Sequence, residues 1–199
     1  MRQIPRLIAI GLLLVTGSLA AVSSAGPTPT AERLLHSAKA ERYRVPTSKS
    51  PIEAGAARIA VSASIEQVTK TVVAFDRWEA TVPKFERARV VGRHGDQTDV
   101  YLQVPILKGA AKIWAVVRFS PPQAVAGKVV VAGKMVQGNV DALDAQFVVK
   151  PIDDTHTQLD LQMLIVPKLP APGAVVTGEV AYAADQAVTK LRDAAEGKR

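Results

Sequence analysis

The chain has 199 residues, a formal net charge of +7 and no cysteine. This length fits one domain with a leader. The missing cysteines exclude disulfides, a thiol nucleophile and a lipid-modified cysteine, so stability must come from an ordinary hydrophobic core.

Residues 1–25 have the composition of a secretory signal peptide. Arg2 and Arg6 give a positively charged start, residues 7–22 are mostly apolar, and residues 23–25 (SSA) are small. We predict cleavage after residue 25 and export to a bacterial periplasm or out of the cell. A retained membrane anchor is the alternative, although an apolar run of about 16 residues is short for a span.

Residues 26–56 are predicted to be a linker. It contains a short helix that Thr30 can cap, running to Ala40, and an extended segment from Glu41 to Val45. The domain proper is predicted at residues 57–195.

The domain begins with a strand at residues 58–61, followed by a helix. Ser64 and Gln67 form the capping-box pattern S-x-x-Q at the start of that helix. Bulky residues then recur at a helical spacing in AFDRWEATVPKF, residues 74–85, but Pro83 interrupts the run. The pattern predicts the end of one helix, a short second helix and a stop.

Six strands with period-two alternation follow, at residues 87–93, 98–104, 112–119, 128–136, 142–150 and 157–166. Short turns between them predict antiparallel pairing. The predicted inward positions are Val100, Leu102, Val104, Ile113, Ala115, Val117, Phe119, Leu143, Ala145, Phe147, Val149, Leu159, Leu161, Met163 and Ile165.

A proline-rich turn leads into the longest helix, residues 174–195. This helix carries a narrow stripe of small apolar residues: Val176, Val180, Ala183, Ala184, Ala187, Val188 and Leu191. The residues 196–199 are a tail. The fold class is therefore predicted to be α+β: a curved antiparallel sheet of about six to seven strands wrapped around a long C-terminal helix, with two short helices after the first strand. Small helix residues opposite medium-sized strand residues leave either a tight contact or a space, and the sequence is compatible with both.

Several stretches resemble the START-like (SRPBCC) superfamily and its helix-grip fold, in the polyketide cyclase/dehydrase and coenzyme-Q-binding branch. They are VSASIEQV at 61–68, AFDRWEATVPKFERARVV at 74–91, and the strand run that ends in a helix entered through LPAPG. The resemblance covers residues 57–195, although Thr69 stands where a tryptophan is common. It implies a cavity between sheet and terminal helix that holds a lipid, sterol, quinone or polyketide.

We therefore predict an exported protein that binds or carries a hydrophobic small molecule. Trp78 and Val82 are expected at the mouth of the cavity, with plain core packing as the alternative, and Gln137 and Tyr182 are expected to meet a polar head group. The predicted ligand-binding residues are Trp78, Val82, Leu102, Val104, Val117, Met135, Gln137, Phe147, Met163, Val176, Val180 and Tyr182.

Two other functions stay open. The first is a cyclase or dehydrase, which needs only a shaped cavity and one or two polar side chains. The second is an envelope interaction protein that uses the basic stretches at residues 32–50 and 84–93. No nucleophile motif is present, and His36, His94 and His156 lack partners at metal-ligand spacing, so we predict no metal and no cofactor. The expected partners are a hydrophobic small molecule and, transiently, an anionic membrane surface. We expect a monomer that does not bind nucleic acid.

Overall fold

The computed structural model describes residues 29–48, 50–106, 111–168 and 170–198. The predicted signal peptide therefore lies outside the described residues, and cleavage and export stay predictions. No helix within the described ranges combines the length and the hydropathy that crossing a bilayer requires.

Nine strands and four α-helices make up the described part of the chain. The strands are β1 (Glu41–Val45), β2 (Ala54–Val61), β3 (Arg87–His94), β4 (Gln97–Ile106), β5 (Ala111–Phe119), β6 (Gln123–Val125), β7 (Lys128–Gly138), β8 (Ala142–Pro151) and β9 (Thr157–Val166). The helices are α1 (Pro29–Leu35), α2 (Ile65–Val72), α3 (Trp78–Thr81) and α4 (Gly173–Ala195), with a 3₁₀ turn at Phe75–Arg77.

All nine strands belong to one antiparallel sheet, in the order β1-β2-β9-β8-β7-β5-β4-β3, with β6 paired to β7. The predicted α+β architecture, an antiparallel sheet packed on a long C-terminal helix, is confirmed. The sheet has more strands than the six to seven predicted, because β1 pairs with β2 and β6 pairs with β7. The segment predicted as part of the linker thus contributes an edge strand.

The helix–short helix–stop pattern predicted around residues 74–85 is confirmed. Ser64 caps α2 as predicted, since its Oγ accepts a hydrogen bond from the Gln67 amide at 3.3 Å. A 3₁₀ turn and α3 follow, and α3 ends just before Pro83. A proline continues a helix poorly, so this sequence fixes where the chain turns toward β3.

Helix α4 packs very closely on β2. A Cβ atom on Gly55 would lie 2.4 Å from the Ala181 amide nitrogen and 2.6 Å from the Thr177 carbonyl oxygen. The Thr177 hydroxyl also donates to the Glu53 carbonyl oxygen at 2.9 Å. Thr177 and Ala181 are buried although the sequence stripe did not include them, because the glycine on β2 lets the helix backbone approach at these two positions.

Candidate functional site

One face of the sheet, called the inner face, points toward α4 and is almost wholly apolar. Gly55 of β2 belongs to this face, because a Cβ atom there would point at α4. The residues paired with it across β9, β8, β7, β5 and β4, and every second residue along these strands, share the same face. Among the described residues of these strands and of the buried side of α4, the polar inner side chains are all threonines: Thr98, Thr157 and Thr177. Thr157 and Thr177 already donate to backbone carbonyl oxygens. This face therefore offers packing surface and no ionisable group.

Inner-face burial falls toward the same end of the sheet on β4, β5, β7 and β9, whereas β2 is buried throughout. On β4, Val100 is fully buried whereas Val104 is half-buried, and on β9 the change runs from Leu161 to Ile165. The same change occurs from Val117 to Ile113 on β5 and from Val131 to Met135 on β7. On β8, Ala145 is half-buried, but Leu143, the next inward residue, is buried again. Since neighbouring strands are antiparallel, all the half-buried ends meet at one end of the sheet, called the open end.

Helix α4 follows this gradient. Val188 is fully buried, Val180 is nearly so, and Val176, close to the first turn, is half-buried. From this gradient we infer an apolar cleft between α4 and the sheet at the open end. We define the apolar cleft by its half-buried residues: Leu102, Val104, Ile113, Met135, Ala145, Met163, Ile165 and Val176.

Five aromatic rings close the cleft from below and form what we call the aromatic floor: Phe75, Trp78, Phe85, Phe119 and Phe147. Trp78 is their centre, with ring centroids 5.0 Å from Phe75, 5.7 Å from Phe85, 5.4 Å from Phe119 and 5.7 Å from Phe147. Its indole nitrogen donates to the Val72 carbonyl oxygen at 3.1 Å, which fixes the ring. Below the floor, the inner-face residues Val100, Val131 and Val149 are fully buried.

A glycine makes room for this floor. A Cβ atom on Gly133 would lie 2.5 Å from Cε1 of Phe119, so a larger residue there would push the ring aside. Phe119 also stacks on Phe75, with centroids 4.8 Å apart. Gly133, which interrupts the apolar pattern of β7, therefore leaves the space that the Phe119 ring on the neighbouring strand occupies.

The predicted ligand-binding residues divide into three groups. Leu102, Val104, Met135, Met163 and Val176 line the apolar cleft. Trp78, Val82, Val117, Phe147 and Val180 are buried, Trp78 and Phe147 in the floor and the others in the core. Gln137 and Tyr182 are exposed. The structure adds Ile113, Ala145 and Ile165 to the cleft, three positions that the alternation had already assigned to the inward side.

Gln137 lies on the outer face because β7 is irregular. The register between β5 and β7 shifts between Val116 and Val117, so that Met135 pairs with inward Val117 while Gln137 pairs with outward Val116. Val136 is the extra residue of this bulge, which simple alternation cannot reveal.

Tyr182 is 38% exposed and lies between two cations. The Lys84 ammonium is 4.9 Å from the ring centroid and the Arg42 guanidinium carbon is 5.5 Å from it. Arg42 also pairs with Asp185, Nε to Oδ2 at 3.1 Å. These contacts tie the segment after α3 and the edge strand β1 to α4, and they occupy the face of the ring.

The ionisable networks of the sheet lie on the outer face. The Tyr43 hydroxyl donates to Asp160 Oδ1 at 3.0 Å, and the Gln158 amide donates to Asp160 Oδ2 at 2.7 Å. Burial raises the pKa of the Asp160 carboxyl above its usual range, and burial with the nearby carboxylate raises the pKa of Tyr43 to about 12. Across the sheet, the Arg118 guanidinium holds the pKa of Asp99 below its usual range. No group with a shifted pKa among the described residues lines the apolar cleft.

A hollow of about 610 Å³ also lies on the outer face, between the loop at residues 46–48 and the middle of the sheet. It is open and its lining is mixed, with Arg118, Lys134, Gln146 and Gln162 among its side chains. Ordinary solvated surface has this character, whereas binding sites for small molecules combine enclosure with mostly apolar walls. The walls of the apolar cleft are wholly apolar, and we take this cleft as the candidate site.

Solved structures with the same architecture decide the fold. A START superfamily protein from Mycobacterium smegmatis superposes with a TM-score of 0.63 at 19% identity, covering 71% of this chain and 96% of that one. A STAR-related lipid transfer protein (fragment 25–204) from Xanthomonas axonopodis gives a TM-score of 0.67 at 13% identity, covering 80% and 94%. The chain has the START-like helix-grip fold.

The same START-like fold occurs in the Zhui aromatase/cyclase from Streptomyces sp. R1128, with a TM-score of 0.54, 15% identity and coverage of 78% of this chain and 94% of that one. No family model matches the chain, and no curated protein matches its sequence. At these identities the similarity establishes the fold, and function has to be argued from the cleft.

Proposed function

We propose that this START-like protein binds and carries a hydrophobic small molecule in the apolar cleft. The observation that carries the proposal is the gradient of the inner face, where apolar side chains that are fully buried at one end become half-buried at the other. Exposed apolar surface that is concave and rimmed by polar residues marks a place where a ligand or partner is buried.

The solved structures with this fold support a ligand of this kind. They include lipid transfer proteins by name, from Xanthomonas axonopodis and from human. In the present chain the walls of the cleft are Leu, Ile, Val, Met and Ala, which suit a hydrocarbon surface. Two methionines, Met135 and Met163, lie in those walls and can adapt to the shape of a ligand.

A cyclase or dehydrase is disfavoured by the same inner face. Such chemistry needs a positioned side chain that moves a proton or polarises a carbonyl group. Within the described part of the cleft there is no carboxylate, histidine, lysine or tyrosine. The Gln137 and Tyr182 side chains, which could have served an enzyme, lie on the surface outside the cleft.

The envelope-interaction hypothesis rests on two basic stretches, and three arginines of the first stretch, residues 32–50, are paired with carboxylates. Arg33 pairs with Glu41, Arg42 with Asp185 and Arg44 with Glu53. Pairing with carboxylates reduces the net positive potential that would attract an anionic surface. Export through the predicted leader would place the carried molecule in the cell envelope, and contact with an anionic membrane remains part of the proposal.

The test is to identify what the protein holds. Protein purified under native conditions is extracted with organic solvent, and the extract is analysed by mass spectrometry before and after incubation with a lipid mixture. A hydrophobic compound near one equivalent per chain is expected, whereas extracts that remain empty after incubation would refute the proposal.

A matched pair of variants ties the ligand to the cleft. Val104 and Gln103 are adjacent on β4 and face opposite sides of the sheet, Val104 into the cleft. Val104→Glu should abolish or strongly reduce retention of the compound, because the charge has no partner in the cleft. Gln103→Glu on the outer face should retain it. Equal retention by both variants would place the ligand elsewhere.

A further inference from the structure

We propose that the aromatic floor limits how far a hydrocarbon chain can enter the cleft. The ligand is an amphiphile with one polar end, and its hydrocarbon end enters first. The inference rests on the proposed function and adds the ligand class and the residues that limit its length. Trp78 and Phe147 set the limit, and the polar end of the ligand stays in water at the open end.

The orientation follows from the hydrogen-bonding inventory of the inner face. An oxygen pushed into the cleft would lose its water and find no side-chain donor in the cleft walls. Thr157 and Thr177 already donate to backbone carbonyl oxygens, and Thr98 lies beside Phe119 and the far hollow. An unpaired buried polar group is strongly disfavoured. Molecules with oxygens along their whole skeleton, as in a polyketide, are therefore poor ligands, and molecules with one polar end are good ones.

The depth limit follows from the aromatic contacts. Phe85 is half-buried on the cleft side and stacks on Trp78, with the ring planes only 5° apart. On the far side, Phe75 contacts Trp78 and also lines a separate hollow of about 230 Å³. The rings thus divide the interior, and a chain that enters from the open end meets them before it can reach the far hollow.

The boundary on β9 lies between two neighbouring inward residues, Leu161 and Met163. Phe147 pairs with Leu161, and both are almost fully buried, whereas the next inward pair, Ala145 and Met163, is half-buried. Ala145 is the smallest side chain in the cleft wall. The cleft wall therefore carries the least side-chain bulk at the inward position next to Phe147.

The experiment measures dissociation constants of straight-chain fatty acids and the matching alcohols by calorimetry. Affinity should rise by roughly fourfold per added methylene, over chains of about six to sixteen carbons, until the chain reaches the floor and the gain stops. The acid and the alcohol of one chain length should bind within about threefold of each other, because both head groups remain in water.

Two variants should move the break point in opposite directions. Phe147→Leu lowers the floor and should let chains one to two carbons longer (about fourfold tighter for each) keep gaining affinity. Ala145→Leu fills the space above the floor and should shift the break to shorter chains. The controls are Leu159→Val, buried on the same face away from the cleft, and Ala132→Leu, exposed on the outer face. Neither control should move the break.

The outcomes separate the two proposals. If no chain of any length binds the unmodified protein, the proposed function itself fails. The proposed depth limit is refuted, while the carrier function stands, in either of two cases. In the first, chains bind but affinity never levels off. In the second, Ala145→Leu does not change the chain length at which affinity stops rising. Ala145→Leu changes a half-buried position and keeps the test valid even if Phe147→Leu does not fold. A large preference for one head group would refute the assigned orientation.

Discussion

The two ends of the inner face are built from the same strands and the same residue types, yet one end is core and the other is a binding surface. Val100 and Val104 show the contrast most simply. Both are valines on β4, both point inward, and the first is fully buried whereas the second is half-buried. The difference comes from what covers them, which is the protein core over Val100 and the proposed opening above Val104.

This contrast has a general lesson for helix-grip proteins. An apolar period-two pattern states that a face avoids water, but it does not state whether protein or ligand will cover it. In this chain one glycine position seats α4 on β2, and five aromatic rings fill the middle of the interior. What remains uncovered is the apolar cleft.

The largest effect is expected from disrupting the close contact between α4 and Gly55 on β2. Gly55→Val places methyl groups where the backbone of Thr177 and Ala181 already lies, so the helix must move away from β2. We expect a loss of more than about 3 kcal/mol in the free energy of unfolding, above the usual cost of overpacking because the obstructing atoms are backbone. Denaturant unfolding measures this change.

The control for that prediction is on the other side of the same helix. A Cβ atom on Gly178 would meet nothing within 4 Å. Gly178→Ala should therefore raise stability by about 0.5–1 kcal/mol through helix propensity. A tolerated Gly55→Val would show that α4 does not depend on close contact with β2.

A matched pair on β4 tests the contrast itself. Val100→Ala removes two fully buried methyl groups and should cost about 2 kcal/mol, partly through the cavity it leaves. Val104→Ala removes the same atoms from the cleft wall and should cost less than about 1 kcal/mol, while weakening ligand binding. Equal costs from urea unfolding of the two variants would remove the distinction between core and cleft.

A smaller effect concerns the outer face, where a buried carboxyl group is part of the sheet rather than of the site. The pKa of Asp160 is raised in the folded state, so folding favours the protonated form. Its contribution to stability is therefore present below the unfolded pKa near about 4 and declines as pH rises through the folded pKa. Asp160→Asn should lack this decline.

The difference in unfolding free energy between Asp160→Asn and the unmodified protein should thus move in favour of the variant as pH rises from about 4 toward 7. Unfolding curves at several pH values measure it, and the comparison cancels the other titrating groups. A difference that is constant over this range, or that moves the other way, would contradict the assigned direction. Ligand affinity should be unchanged, because Asp160 faces away from the cleft.

The smallest effect is expected at Tyr182. Replacing it by leucine removes the ring that Lys84 and Arg42 contact, at a cost of about 0.5–1 kcal/mol. Because the ring is exposed outside the cleft, fatty-acid affinity should change by less than about twofold. A tenfold loss of affinity without loss of stability would return Tyr182 to the head-group role that the sequence suggested.

Sequence patterns predicted most of the elements of this fold because the signals are local. The S-x-x-Q box started α2, Pro83 ended α3, and period-two alternation located six strands within a residue or two of their bounds. Non-local features were harder to predict. The pairing of β1 with β2, the bulge that turns Gln137 outward, and the seating of α4 on Gly55 all depend on partners far away in sequence.

The candidate site was predicted in part for the same reason. Alternation assigned Leu102, Val104 and Met163 to the inner face, and all three line the cleft. It could not tell them from Val117 or Phe147, which share that face and are buried. Trp78 had been expected at the mouth of the cavity, and only its four ring contacts show that it forms the floor.

The most direct test of a ligand in the apolar cleft uses the methionines. The chain has three, Met1, Met135 and Met163, and the last two lie in the cleft walls. Protein labelled with ¹³C at the methionine methyl groups gives few signals, and these are titrated by NMR with a straight-chain fatty acid. We predict that the Met135 and Met163 signals shift together and saturate at one equivalent. Binding confirmed by calorimetry that leaves both signals unmoved would contradict the account.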